Sequence, residues 1–136
     1  MEARIREEIA LLRQHYPSLE HGEKLDWIYL PEFPLPLGRF NRANSPVLFR
    51  LPSAYPQVGP DNFFVDVGLR LKDGSTPPAF NANAVSSTGP APKAGDWGWF
   101  SWHPQAWRPA ATPEGGDNLL VFVRGISLCL RGEESA

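Results

Sequence analysis

The stretch "LPSAYPQVGPDNFFVDVGLRL", which runs from Leu51 to Leu71, decides the interpretation of this sequence. Its first half contains three prolines, which favour a turn because the proline ring fixes the backbone and removes the amide donor. Its second half, residues 63–71, is rich in Phe, Val and Leu, which predicts a strand that ends at the turn "KDG". The stretch therefore predicts a strand that is entered through a long irregular turn.

Two more strands and a helix are predicted before this stretch. Residues 25–30, "LDWIYL", and residues 47–51, "VLFRL", are rich in aromatic and branched side chains, as strands are. The segment between them contains four prolines up to Pro46, so we expect it not to form a central strand. Residues 2–14 repeat apolar side chains at helical spacing, and Pro17 stops that pattern. The N-terminal half therefore predicts one helix followed by strands.

The C-terminal half contains an irregular segment and one apolar segment. Residues 74–96 are mostly Gly, Pro, Ser, Thr and Ala, which predicts a long loop with one short strand near residues 80–85. Residues 119–130 place apolar side chains at helical spacing, and Asp117 is positioned to cap such a helix. The β-branched residues and Gly125 leave a strand as the alternative for this segment.

The order of these elements predicts an α+β fold in a single domain over residues 1–136: an N-terminal helix, an antiparallel strand meander, a long irregular segment and a C-terminal helix. The chain has 136 residues, of which 42% are hydrophobic. This length and composition are sufficient for one hydrophobic core that does not need disulfide bonds for stability. The net charge is −2 and no basic stripe is present, which argues against nucleic-acid binding. No apolar run approaches the roughly 20 residues of a membrane helix, and the first residues do not predict a secretory signal. We therefore expect a cytoplasmic protein.

The small numbers of Cys and His residues limit the kinds of site that this chain can form. Cys129 is the single cysteine, which excludes a disulfide within the chain. It lies in the apolar segment "ISLCL" and is interpreted as a small core residue, with a reactive thiol as the alternative. The three His residues do not have metal-ligand spacing, and no Gly-rich phosphate loop is present. No metal or cofactor is therefore expected.

The stretch "FSWHPQAWRP", from Phe100 to Pro109, combines dense aromatic residues with a Ser-x-His pair. In extended backbone Ser101 and His103 would project to the same side, within hydrogen-bond reach of each other. A serine hydroxyl needs such a base to act as a nucleophile, and His is suited to that role near neutral pH. The alternative is structural, with both side chains bonded to the loop backbone.

The order and spacing of these motifs resemble those of the ubiquitin-conjugating enzymes, and above all a bacterial group of that superfamily often called prokaryotic family E. The resemblance spans roughly residues 5 to 130. The matching residues are Leu51-Pro52, Tyr55-Pro56, Asp61, Phe63, Val65-Asp66, Leu69, Leu71, Phe100-Ser101, His103 and Trp107-Arg108-Pro109.

This resemblance implies a ubiquitin-conjugating (UBC) fold and a role in ubiquitin-like protein handling. The implied partners are a ThiF-type activating enzyme, a ubiquitin-like protein and a JAB-type peptidase of the same pathway. It also implies that Trp107, Pro109, Tyr55 and Pro56 support the active-site loop. In the resembling enzymes the N-terminal helix helps to dock the activating enzyme, and the exposed candidates here are Arg4, Arg6, Glu7 and Glu8. The alternative for these four residues is an ordinary solvated helix face.

The sequence departs from the resembling enzymes at the nucleophile. They carry a cysteine a few residues before Trp-x-Pro and a His-Pro-Asn motif upstream, whereas this chain has no cysteine between residues 71 and 107 and no His-Pro-Asn after the third predicted strand. Ser101 is the residue nearest to the expected nucleophile, and a hydroxyl can carry an acyl group as an oxyester. Ser101 and His103 are therefore the predicted catalytic residues.

Two other functions remain open from the sequence. The chain could be a catalytically inactive variant that acts as an adaptor for the activating enzyme and the ubiquitin-like protein. It could also be a ligand-binding or hydrolytic α+β domain unrelated to ubiquitin, although the nucleophile elbow of the α/β-hydrolases is absent.

Overall fold

A computed structural model describes residues 2–132, and it is an antiparallel sheet with two helices on one face. The helices are α1 (Glu2–His15) and α2 (Leu119–Leu130), with a short 3-10 turn at Pro113–Gly115. The strands are β1 (Glu20–His21), β2 (Trp27–Pro34), β3 (Asn44–Arg50), β4 (Phe63–Asp66), β5 (Phe80–Asn81), β6 (Val85–Ser86), β7 (Gly89–Pro90) and β8 (Trp97–Phe100). The main sheet has the order β1-β2-β3-β4-β8-β5, and β6 and β7 form a separate pair. The predicted α+β architecture, with a helix near each end of the sequence, is confirmed.

The main core lies between the sheet and both helices. Inward side chains of the central strands, among them Phe49 and Phe63, pack against Leu12 of α1 and Phe122 of α2. The Phe49 and Phe122 rings lie 4.8 Å apart between centroids. Since the core joins residues from both ends of the chain, the two helices and the sheet stabilise one another by burial of apolar surface.

A second, smaller cluster covers the opposite face of the sheet. Leu48, Phe64 and Trp97 form its buried centre, and Tyr29 and Trp99 are among the residues packed around it. The aromatic side chains of β8 therefore point to both faces, with Phe100 in the main core and Trp97 in the second cluster.

Strands β2 and β3 correct the prediction that the proline-rich segment does not form a central strand. Pro31 and Pro34 lie within β2, although β2 is not the last strand of the sheet. The edge strand β1 pairs only with Ile28 and Tyr29, so the proline-containing end of β2 has a partner on one side only. The register to β3 also shifts between Leu30 and Phe33, so Pro31 lies outside the regular ladder, and Pro34 is the last residue of β2.

The third predicted strand is shorter than expected. β4 ends at Asp66, whose carboxylate accepts a hydrogen bond from the amide of Gly68 at 2.8 Å and turns the chain. Residues 74–96 hold three short strands where one was expected. β8 was not predicted as a strand at all, yet it pairs with β4 over its full length.

The C-terminal apolar segment is a helix, which excludes the strand alternative. Its cap is Asn118 and not the predicted Asp117, because the Asn118 side chain accepts the Val121 amide at 2.9 Å. The Asp117 carboxylate instead accepts a hydrogen bond from the amide of Arg108 at 2.6 Å. Asp117 therefore fixes the chain after Trp107 and does not cap α2.

Candidate active site

The Ser-x-His segment follows directly after β8 and is held by hydrogen bonds from both sides. The Ser101 amide donates to the carbonyl of Ala79 at 2.9 Å, and the Asn62 amide donates to the carbonyl of Trp102 at 2.8 Å. Asn62 has a φ of 53°, a left-handed conformation that asparagine tolerates better than most residues. The backbone of the candidate site is therefore anchored to the turn before β4 and to the segment before β5.

Trp102 points inward between the two predicted catalytic residues. Its ring lies 5.8 Å from Phe63 and 5.5 Å from Phe122 between centroids. Ser101 and His103 on either side of it are exposed. The alternation expected from extended backbone is therefore present, with one anchor in the core and two polar side chains at the surface.

Ser101 and His103 line one groove of about 340 Å³. The groove lies where β8 ends, and it is also bordered by the C-terminal end of α2. The other side chains in it that carry polar or reactive atoms are Arg39, Trp102, Gln105 and Cys129. The structure thus brings the two predicted catalytic residues to a common concave surface.

The hydrogen bonds of His103 define which ring nitrogen is available. Nδ1 lies 3.0 Å from the carbonyl oxygen of Pro104. Since a carbonyl can only accept, Nδ1 carries the proton in this contact, and Nε2 of the neutral ring is left with its lone pair. Within residues 2–132 the Ser101 hydroxyl is not hydrogen-bonded to His103, and neither Asp96 nor Glu114 bonds to the ring. The pair shares the groove without a preformed hydrogen bond.

Trp107 joins the predicted support residues into one cluster. Its Nε1 donates to the carbonyl of Pro56 at 2.7 Å, and its ring lies 5.9 Å from the ring of Tyr55. A Cβ on Gly59 would lie 2.4 Å from the Trp107 ring, so this close approach requires glycine. The structure therefore places the Trp-x-Pro segment on the Tyr-Pro turn, while Pro109 lies half-buried two residues later.

Glu8 is buried, which corrects the expectation that four charged residues of α1 are exposed. Its side chain is 1% exposed and accepts hydrogen bonds from Arg4 Nε at 2.6 Å, from the Leu119 amide at 2.8 Å and from the Tyr55 hydroxyl. Arg4 is also mostly buried, and its Nη1 donates to the carbonyl of Ala110 at 2.5 Å. These two residues therefore hold α1 against the Tyr-Pro turn and the start of α2.

Arg6 and Glu7 are the two members of that set that remain exposed. Arg6 Nε lies 3.1 Å from the Glu2 carboxylate, in an exposed pair that contributes little to stability. Arg6 and Arg13 line a shallow groove of about 410 Å³ beside α1, together with Ile9 and His21. The surface open to a partner on α1 is thus basic at two positions.

Tyr55 keeps its proton because of its surroundings. Burial raises the pKa of its phenol, and the hydrogen bond to Glu8 and the negative charge of that carboxylate raise it further. The phenol therefore acts as a donor to Glu8 over the whole ordinary pH range.

Three residues of the groove were not identified from the sequence. Gln105 lines the groove, and its carboxamide lies directly after the His103-Pro104 pair and just before Trp-x-Pro. Cys129 packs against the core, as interpreted, but is only half-buried and also borders the groove. Arg39 reaches the groove from the turn between β2 and β3, and no local pattern could indicate that.

Two further observations concern metals and membranes. No group of three or more His, Cys, Asp or Glu side chains among residues 2–132 is arranged to hold a metal ion. No helix in that part of the chain has the length and apolar character needed to cross a membrane.

Comparison with known proteins identifies the family. No significant match was found among curated proteins or among solved structures. The family model described as prokaryotic E2 family E matches residues 10–132, which include all strands, α2 and both sides of the groove. The chain is therefore a member of prokaryotic E2 family E, an E2-like protein of a bacterial conjugation pathway.

Proposed function

We propose that this chain accepts the C-terminus of a ubiquitin-like protein from a ThiF-type activating enzyme in the cytoplasm, and that Ser101 carries it as an oxyester. The observation that carries the proposal is that Ser101 and His103, six and four residues before Trp107, are both exposed in one groove. That position is close to where the resembling enzymes have their cysteine. The inward anchor Trp102 and the two backbone hydrogen bonds around it keep the serine at the rim.

The transfer step follows from the available atoms. Ser101 Oγ attacks the thioester carbonyl of the incoming ubiquitin-like protein, and its proton passes to Nε2 of His103, the nitrogen not bonded to Pro104. The tetrahedral intermediate collapses with cleavage of the C–S bond, and the leaving thiolate takes the proton from the imidazolium. The products are a serine ester and the free thiol of the activating enzyme. A target amine then attacks the ester, and the Ser101 oxygen leaves with a proton returned through His103.

Gln105 is the residue we assign to the support of this step. It lines the same groove, and its carboxamide follows the His-Pro pair as the asparagine does in the resembling enzymes. A carboxamide N–H can donate to the oxyanion that develops on the attacked carbonyl. Gln is one methylene longer than Asn, so this amide extends further from the backbone.

The exposed basic groove beside α1 is the proposed docking site of the activating enzyme. Arg6 and Arg13 line it, and neither is neutralised by a buried partner. A JAB-type peptidase would act later in the same pathway, on the conjugate.

One reaction tests the catalytic proposal. The protein is incubated with the activating enzyme and the ubiquitin-like protein encoded beside it, with ATP, and products are resolved with and without thiol reductant. We expect an adduct that survives reductant, is cleaved by mild base and disappears in Ser101→Ala. Ser53→Ala, an exposed serine in the turn before β4, is the matched control and should leave the adduct unchanged. An adduct lost only in Cys129→Ala would contradict the assignment of Ser101.

An adaptor without catalysis is the second candidate. It is favoured by one observation, that Ser101 and His103 are not hydrogen-bonded to each other in the described chain. The adaptor predicts no adduct in the same reaction, with binding of the activating enzyme retained in wild type and in Ser101→Ala. Titration of the ubiquitin-like protein alone, followed by calorimetry, distinguishes this outcome from a failure to bind any ubiquitin-like partner.

A further inference from the structure

Arg39 is a cation in the candidate groove that has no acidic partner among residues 2–132. None of the ion pairs in that part of the chain involves it, and its Nε is buried without a hydrogen-bond partner there. A buried donor without an acceptor is rare in folded proteins because it has lost its hydrogen bonds to water. The charge of this guanidinium is therefore not neutralised within the described part of the chain, which points to an anionic ligand.

The position of the guanidinium is fixed without neutralising it. The Arg39 carbonyl accepts the Lys72 amide at 2.8 Å, and the next residue, Phe40, is buried and bridges to Leu71. The guanidinium carbon lies 5.6 Å from the centre of the Phe40 ring. A Cβ on Gly132 would lie 2.9 Å from Nη2, so the end of the side chain is closely packed beside α2. Packing thus holds the guanidinium in place beside the groove.

We propose that Arg39 binds the C-terminal carboxylate of a peptide segment that enters this groove. The planar guanidinium matches a carboxylate with two parallel hydrogen bonds. Ser101 and Gln105 add neutral donors on the same surface, and Pro77, Pro78 and Phe100 provide an apolar wall suited to peptide. The inference goes beyond the proposed function: during transfer the ubiquitin-like tail arrives as a thioester, which has no free carboxylate, whereas here the bound end is a free carboxylate. It assigns to the groove the recognition of the free, unesterified tail.

Peptide titration tests this proposal independently of transfer chemistry. The probes are N-acetyl-Leu-Gly-Gly with a free carboxylate, the same peptide as its C-terminal amide, and N-acetyl-Leu-Glu-Gly amide, which offers only a side-chain carboxylate. Binding to the full chain is followed by amide chemical shifts in ¹⁵N-labelled protein. We expect the free acid to bind about tenfold or more tightly than its amide, because charge-assisted bidentate hydrogen bonds are the strong ones. Shifts should centre on Arg39 and Ser101.

Two variants complete the test. Arg39→Gln should abolish the difference in affinity between the free acid and the amide. Arg39→Lys should retain part of that difference, because lysine keeps the positive charge but lacks the two parallel N–H donors of the guanidinium. Lys24→Gln removes the same charge at an exposed position outside both grooves and should leave the difference unchanged; thermal unfolding checks that all variants are folded. Equal binding of acid and amide by wild type would overturn the proposal. Equal binding of the free acid and the Glu-containing amide would overturn the assignment to a chain terminus in favour of an acidic side chain. Neither result affects adduct formation on Ser101, so failure here is distinct from failure of the proposed function.

Discussion

The hydroxyl of Tyr55 donates a hydrogen bond to the carboxylate of Glu8, and both side chains are almost fully buried. This contact joins α1 to the turn on which Trp107 packs. The same carboxylate accepts the Leu119 amide at 2.8 Å, which ties in the start of α2. One carboxylate therefore connects three segments around the Trp-x-Pro end of the candidate site.

Replacing Glu8 is expected to destabilise the fold strongly. Glu8→Ala leaves the Arg4 guanidinium, the Tyr55 hydroxyl and the Leu119 amide without their acceptor, and breaking a buried charged pair costs about 3–5 kcal/mol. Glu7→Ala, the exposed neighbour on the same helix, should change the free energy of unfolding by less than about 0.5 kcal/mol. Urea unfolding measures both, and similar values for the two variants would contradict the network.

The burial of Glu8 shows where local sequence patterns stop being informative. The helical spacing of Ile5, Ile9 and Leu12 was sufficient to predict α1, because that pattern depends on neighbours within the helix. Two of the hydrogen-bond partners of Glu8 are 47 and 111 residues away in the chain, so these two could be known only from the tertiary structure. A charged residue next to an apolar helix face is exposed unless such distant partners are present.

β8 was missed for a related reason. A strand with one solvent-exposed face alternates apolar and polar residues. In "WGWF" both faces are buried, by the main core at Phe100 and by the second cluster at Trp97, so this alternation is absent. Gly98 has no Cβ, and this leaves room for the Phe80 ring, which would lie 2.5 Å from a Cβ at that position. The Ser-x-His spacing was visible locally, while Arg39 and Cys129 reach the groove from distant segments.

The stability of the protein is expected to fall in alkaline solution. The pKa of Tyr55 is raised in the folded protein by burial and by Glu8, so the folded state holds its proton after the unfolded chain releases it near pH 10. This stabilisation is complete below the pKa of the tyrosine in the unfolded chain. Above that pH the free energy of unfolding falls by up to about 1.4 kcal/mol per pH unit. Tyr55→Phe should reduce that slope. Tyr16, whose pKa burial also raises, contributes a slope of its own that remains in the variant. Urea midpoints between pH 8 and 11 measure the effect, and identical slopes would refute it.

Gly125 allows Trp102 to approach α2. A Cβ there would lie 2.8 Å from the Trp102 ring, which would have to move. Gly125→Ala gains up to about 1 kcal/mol of helix propensity, whereas overpacking costs about 1–3 kcal/mol, so we expect a net loss or no gain in stability. The displaced Trp102 should also lower adduct formation on its neighbour Ser101. Val121→Ala, an exposed position on the same helix, is the control and should leave adduct formation unchanged.

Charge reversal on α1 should slow transfer without affecting stability. Arg6→Glu changes the exposed groove proposed to dock the activating enzyme, and it should lower the rate of adduct formation several-fold at low salt and less at high salt, because rim charges act mainly on association. Lys72→Glu makes the same change in net charge at an exposed position outside that groove. Equal rates for the two variants would show that α1 is an ordinary solvated face.

Modification of Cys129 should block the groove even though the thiol is not the proposed acceptor. Cys129 borders the same groove as Ser101 but is half-buried on α2, so N-ethylmaleimide should react slowly and then fill part of the space. Wild-type protein modified to completion, as shown by mass spectrometry, is expected to lose most adduct formation. Cys129→Ala should form the adduct normally and should be insensitive to the reagent, because the attacking atom is Ser101 Oγ. If the modified wild type forms the adduct at the normal rate, the ubiquitin-like tail does not pass through this groove; if Cys129→Ala alone abolishes the adduct, the thiol and not the hydroxyl is the acceptor.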